Sequence, residues 1–464
     1  MSGPMALEPG GAEQDTLALR LAGTSALGDD RTLALRLPGS RPDPAAVSRL
    51  AADLADRIGP AVHPYEVAAL LEAEGLTAEQ ITERYGHPNL FSLATALYEQ
   101  VPRTFPEPAP AADPWRPDTV RCLLRGVLFA LPGLAYLLTA PLWHPGRHAA
   151  ALIVAGLVSW AWGQGLGHRA HLRMVAGRRE AANTLLTGAP LGAALATAAA
   201  APLAGTGPVL LTAAAQSLYL AAAGVLLVLA RERLLLAALT PLIAGAAVLP
   251  WWEPGTALRT ALPLLALLAT LVATGHALRG ARTAQAAAGG RRPRLLWSVP
   301  YGLFGLAAGL LVLQAGRQAP YAVIVLTVSM GPAEWLLYRY RGLSVAALRA
   351  TATPAGFLAR SAAVLAGCLL VYLLPLLPAA WLTGAAPQTL LLLAATLWTA
   401  LLLQAFGSAW PPAVICLAAA AVAAAVPWLR LAPGSGALPL CCGAAVLCLV
   451  AYTLWLLGRP ARHV

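Results

Sequence analysis

From residue 119 onward, long runs of Leu, Ala, Val and Gly are broken by short clusters of Pro, Gly, Arg and Glu. A bilayer-crossing helix needs about 20 mostly apolar residues. Twelve such segments can be drawn, over 120–142, 148–168, 182–203, 208–230, 232–252, 257–278, 295–315, 320–338, 359–382, 387–408, 411–429 and 437–457. The breaks fall at "HPGRH", "AGTGP", "RER", "WWEPG", "AGRQAP", "TGAAPQ" and "APGSG", all turn-forming or charged. The boundary at "SAWPP" (408–412) is the least marked, and two spans there can also be read as one re-entrant element. The expected fold is therefore all-α: a polytopic membrane protein with about 12 transmembrane helices, preceded by a small soluble helical domain.

The pattern differs upstream. Residues 1–44 mix Gly, Pro, Asp and Arg around an echo, "TLALRLAG" and "TLALRLPG", which reads either as two short strands or as low complexity. Residues 45–100 show helical periodicity in "PAAVSRLAADLADRI", "YEVAALLEAEG" and "NLFSLATALYEQ". Thr77 with Gln80 three residues on is a capping-box signature, Gly86 and Pro88 close that helix, and Asn89 can cap the next. Residues 101–118 are a Pro-rich, semi-rigid linker.

Composition agrees with the pattern. The chain has 464 residues, 58% hydrophobic and 11% charged, with a mean hydropathy of +0.66. Soluble domains carry about 25% charged residues, so lipid must solvate most of this chain. Lys is absent, and all 32 basic residues are Arg. Residues 1–118 hold 17 acids and 9 Arg, a net charge of −8, whereas residues 119–464 hold 4 acids and 23 Arg, a net of +19. If the twelve spans alternate from a cytoplasmic N-terminus, 19 of those Arg fall on the cytoplasmic side and 4 outside. That asymmetry is what the positive-inside rule demands, and it puts both termini inside a plasma (inner) membrane. The first 40 residues lack the apolar core of a signal peptide. The six cysteines sit in or beside apolar segments without metal-like spacing, as small buried hydrophobes do.

A repeat organises the membrane part. Residues 158–169, "VSWAWGQGLGHR", align with 328–339, "VSMGPAEWLLYR": both begin Val-Ser, both have Leu ninth, and both end in Arg, at Arg169 and Arg339. Gln164 falls opposite Glu334, and each half has its longest basic loop after its second span. The chain is thus read as a first six-helix half over 119–279, a basic cytoplasmic linker over 280–294, and a second half over 295–464 with a short tail. Two six-helix bundles with a path between them are a transporter plan. The second helix, ending in Gly163-Gln164-x-x-Gly167 before a basic loop, resembles the multidrug/oligosaccharidyl-lipid/polysaccharide flippase superfamily. That resemblance implies an N-in, C-in pair of six-helix halves and transport across the membrane. Span 120–142 has no acid, unlike the cation-coupled drug exporters of that group, so the resemblance favours its polysaccharide or lipid flippase branch.

Only Glu180, Glu232, Glu253 and Glu334 are acidic after residue 118. Glu180 and Glu232 lie in basic loops and are expected to form exposed ion pairs. Glu253 lies in the outer turn "PWWEPG", whose Trp residues read as interfacial anchors. Glu334 lies 13 residues beyond Tyr321, roughly 20 Å along a helix. There it either pairs near the surface with Tyr338 or Arg339, or faces a cavity and couples transport to protons, since intramembrane acids are rare and costly. Pro332 can kink the helix and turn Glu334 inward, and Arg339 and Arg341 can instead meet a lipid phosphate. The candidate substrate or coupling residues are Glu334, Gln164, Arg339, Arg169 and Pro332.

No DxD, paired acids or His cluster appears in the membrane part, so an enzyme is not expected, nor a cofactor. Expected partners are membrane lipids and a lipid-linked glycan. Residues 63–100 carry six Glu against one Arg, a charge that phosphate would repel; this excludes nucleic acid and leaves a cytosolic protein as the partner of residues 45–100. The leading function is a transporter or flippase for a lipid-linked or polysaccharide-type substrate working by alternating access. The alternative is a membrane scaffold that recruits partners through the N-terminal helices.

Overall fold

The periodicity of residues 45–100 resolves into helices Pro44–Asp53, Ala55–Ile58, Pro64–Ala73, Ala78–Glu83 and Leu90–Gln100. The structure is a computed structural model that describes residues 44–102, 117–142, 145–205, 207–285, 293–351, 353–428 and 436–458. The Leu echo of residues 1–44, most of the linker 101–118 and the middle of the linker 280–294 lie outside the described residues. The chain divides into two compact units, to which residues 44–102 and 117–458 belong respectively.

In the N-terminal unit the apolar positions Val67 and Leu71, and Leu93 and Leu97, are one helical turn apart, so each pair faces one way. They meet with Ile81 in a single core. The Thr77 hydroxyl accepts from the Gln80 N–H at 3.3 Å while the Gln80 carbonyl accepts from the Thr77 N–H at 3.1 Å. Asn89 accepts from the Ser92 N–H at 2.9 Å. Gly86 takes a φ of +69° in the turn between these two capped helices, a conformation a Cβ would strain.

All twelve apolar segments of the membrane unit are helical. Ten helices are long and apolar enough to cross a membrane: Thr119–Thr139, His148–Ala176, Arg178–Ala204, Pro208–Val228, Thr256–Arg282, Leu295–Gln318, Pro320–Leu348, Ala355–Leu382, Pro387–Ala405 and Ala437–Leu457. The eleventh segment is a shorter apolar helix, Trp410–Val426. The fifth is divided into Glu232–Ala238 and Thr240–Val248, because Pro241 cannot donate to the carbonyl four residues back. At "SAWPP" the chain makes two separate helices, with Gly407 at φ +79° between them. The re-entrant reading is not realised.

The outward faces are apolar. Leu264, Leu268 and Val272, at successive turns of the sixth span, are exposed on one side of that helix, as lipid-facing residues should be. Trp251, Trp252, Trp381 and Trp455 lie exposed at span ends, where indole rings anchor to the membrane interface.

Burial separates the two halves. One large core contains only residues between Phe304 and Leu457. Two others contain only residues between Leu128 and Ala281, and between Tyr136 and Ala213. The halves meet reciprocally: the first span packs on the eighth, and the second on the seventh. Small residues make both crossings. A methyl added at Gly126 would stand 2.6 Å from the Val328 carbonyl oxygen, and one at Gly331 would stand 2.7 Å from that of Cys122. At the other crossing, a methyl at Gly302 would meet the Ala161 carbonyl oxygen at 3.2 Å, and one at Gly305 the Gln164 side chain at 2.6 Å. Close backbone approach through Gly is how helices associate where lipid removes the hydrophobic drive.

Candidate functional site

Between the halves lies a chamber with two connected parts. One part, about 370 Å³, is lined by Arg121, Arg125, Gln164, His168, Glu334 and Gln404, with Tyr301 and Tyr338. The other, also about 370 Å³, is lined by apolar side chains including Trp160, Phe304, Leu326 and Leu401. Phe129, Gln164, Leu227 and Met330 line both. The polar part sits at the ends of the spans where the arginines are concentrated.

A buried charge cluster forms the wall of the polar part. Arg125 donates from Nη1 to Glu334 Oε1 at 2.6 Å, from Nε to Glu232 Oε1 at 2.9 Å, and from Nη2 to the Leu227 carbonyl at 3.3 Å. Its Nη2 also lies 2.7 Å from Glu232 Oε1. Arg121, one turn earlier, donates from Nε to the same Glu232 oxygen at 2.8 Å. Arg125, Glu232 and Glu334 are each 6% exposed. Two guanidinium and two carboxylate groups thus balance to zero charge. Isolated charges at such burial would be prohibitive, and mutual pairing through Oε1 of each carboxylate offsets much of the desolvation.

The Arg125–Glu334 pair joins the first span to the eighth and so bridges the two halves. The opposite crossing has a neutral counterpart: His168 Nδ1 lies 3.0 Å from Ser298 Oγ, and its ring stacks on Tyr301 at 3.7 Å between centroids.

Two of the five sequence candidates come together here. Glu334 and Gln164 line the chamber from opposite halves. The other three do not. Arg339 is exposed, with its guanidinium 5.6 Å from the centre of the Trp335 ring. Arg169 donates to the Pro293 carbonyl at 3.4 Å. Pro332 lies within the continuous helix Pro320–Arg349. It has no N–H to offer the carbonyl four residues earlier, that of Val328, and this is the oxygen against which Gly126 packs. Pro332, two residues before Glu334, thus leaves that carbonyl free at the crossing.

Of the two placements expected of Glu334, it takes the chamber wall, paired with Arg125 of the other half and not with Tyr338 or Arg339, because the first span packs directly against its face. One expectation is overturned. Glu232 is not an exposed loop acid. After the fourth span the Arg231 N–H bonds the Leu226 carbonyl at 2.8 Å and the Ala230 N–H bonds that of Leu227 at 3.2 Å. Ala230 takes a φ of +58°. This Schellman turn is so tight that Glu232 starts the next helix against the bundle interior. Glu180 does pair, with Arg173, but across the turn between two helices, in the first turn of Arg178–Ala204, and the pair is partly buried.

Arg125, His168 and Gln404 were not singled out by sequence reasoning, and Glu232 was read only as an exposed loop acid. The available signal was Arg125 itself, six residues into an apolar span and one turn from Arg121. Gln404 has no partner for its Nε2 among the described residues, although it is only 5% exposed.

No family model matches the chain, and no curated protein matches it. Among solved structures, a MOP superfamily transporter from Pyrococcus furiosus is similar at 12% identity and a TM-score of 0.42, over 74% of this chain and 98% of that one. An outward-facing multidrug resistance MATE family transporter of the MOP superfamily is similar at 13% identity and a TM-score of 0.41, over 75% of this chain and 97% of that one. The class the helices define is a multi-pass, all-α membrane protein.

Proposed function

We propose that this protein is a membrane transporter that moves a lipid-linked or polysaccharide-type substrate by alternating access. One observation carries the reading: a chamber between two separately cored halves, polar at the arginine-rich end and apolar beyond it, with the Arg125–Glu334 ion pair in its wall. A head and a tail of opposite polarity match such a chamber. For the halves to part at that end the ion pair must separate, and Glu334 is the carboxylate that releases Arg125 when neutralised. The arginine count favours a plasma-membrane orientation with that end in the cytoplasm.

The test is transbilayer movement of headgroup-labelled lipids in proteoliposomes. Wild-type protein is expected to move a labelled lipid, and Glu334→Ala to lower the rate by at least about tenfold, the effect of losing roughly 1.4 kcal/mol. Wild-type vesicles no faster than empty ones would remove the transporter reading.

A second reading, a scaffold that recruits a cytosolic protein through residues 45–100, is favoured by exposed Tyr65 and Phe91. Their rings meet edge-on at 5.7 Å on the surface of the N-terminal unit. In that case the N-terminal unit alone would retain the cellular activity.

A further inference from the structure

The charge balance of the chamber says what kind of head it accepts. All three guanidinium nitrogens of Arg125 already donate, to two carboxylates and a carbonyl. Arg121, at the rim, shares the Glu232 oxygen. An anionic head would have to pull Arg125 from Glu334 or Glu232 and strand a buried carboxylate, or else add an uncompensated charge to a site whose charges already balance. A cationic head would likewise add an uncompensated charge, since the charge of both carboxylates is already balanced through their Oε1 atoms.

Apart from the Nη groups of the half-exposed Arg121 at the rim, the polar groups left to bind a head are mostly neutral. Gln404 Nε2 is buried with no hydrogen-bond partner among the described residues. Gln164, His171, Tyr301 and Tyr338 also line the chamber. Amides, an imidazole and phenols present both donors and acceptors, the complement of a hydroxyl-rich head. A buried amide donor left unpaired is costly, so Gln404 identifies a position where a ligand oxygen belongs. Beside it lies the apolar part of the chamber, suited to hydrocarbon.

We infer that the chamber binds a neutral glycosyl lipid, its uncharged sugar head against Gln404, Gln164 and the tyrosines and its tail in the apolar part, and that it discriminates against phosphate-bearing heads. This rests on the transporter reading and specifies its substrate class.

The experiment is native mass spectrometry of the full chain in a polyoxyethylene detergent, with an equimolar mixture of dioleoyl lipids. The four heads are glucosyl, phosphoglycerol, phosphate and phosphocholine. The glucosyl lipid is expected to be retained about tenfold over each of the others, and Gln404→Leu to erase that preference, as loss of a buried hydrogen bond implies. Preferential retention of any phosphate-bearing lipid by the wild-type protein, equal retention of all four, or retention of none overturns the inference whether or not the variant folds. Retention of the glucosyl lipid with an unchanged preference in folded Gln404→Leu also overturns it. Vesicles that transport a phospholipid would leave the transporter reading intact while the headgroup inference falls. Retention of the glucosyl lipid without any transport would do the reverse.

Discussion

Arg125 has three obligations, to Glu232, to Glu334 and to the Leu227 carbonyl, and removing it leaves two buried carboxylates facing each other. Breaking a buried pair by deleting one partner costs about 3–5 kcal/mol. Arg125→Ala should therefore lower the apparent melting temperature in detergent far more than Glu334→Gln, which keeps a neutral acceptor in place. Arg125→Met combined with Glu334→Met should recover much of the loss, because Arg121 still serves Glu232 and apolar residues tolerate the site. Arg339→Ala should change stability by at most about 1 kcal/mol, since an exposed cation over an indole is worth no more. If Arg339→Ala proved as damaging as Arg125→Ala, the assignment of the ion pair would be wrong. Glu334 was legible in the sequence because it is an isolated acid in an apolar run. Glu232 was misread because Arg231 and Arg233 flank it, and nothing in "LARERL" announces that Ala230 will adopt a left-handed turn that swings the acid inward.

Among the helices, the crossings of first on eighth and second on seventh are set by glycines whose added methyl would strike backbone. Gly126→Ala and Gly331→Ala push two helices apart where neither can yield, so each should cost about 1–3 kcal/mol and reduce the yield of folded protein. Gly224→Ala and Gly275→Ala, in spans of the same half where an added methyl meets nothing within 4 Å, should be silent by the same assay. Equal behaviour of the two sets would mean the crossing is not close. Helix number and placement were legible from hydropathy alone, since every segment drawn is helical. The division of the fifth span was less so: a run of Leu and Ala reads the same whether or not a Pro at its centre splits it. Which faces meet was not legible. Gly126 and Gly331 are two glycines among 42, and only their juxtaposition gives them meaning.

For the whole molecule, the segregation of buried residues into cores that do not mix sequence halves is what the proposed alternating access would use, two bodies moving against each other around a shared chamber. The repeat at 158–169 and 328–339 sets Gln164 opposite Glu334, and both residues line the chamber. A reporter inserted at residue 285 should read as cytoplasmic if the arginine asymmetry orients the chain; a periplasmic reading would invert it. The motion itself is tested by spin labels at Val175, on the second span, and Leu343, on the eighth, both exposed, in a chain whose six cysteines are replaced. Pulsed dipolar spectroscopy in lipid should give a short distance for the closed, ion-paired state, with Glu334→Gln shifting population to a longer one. A single narrow distance that is identical in wild type and Glu334→Gln would contradict a gate held by Arg125 and Glu334.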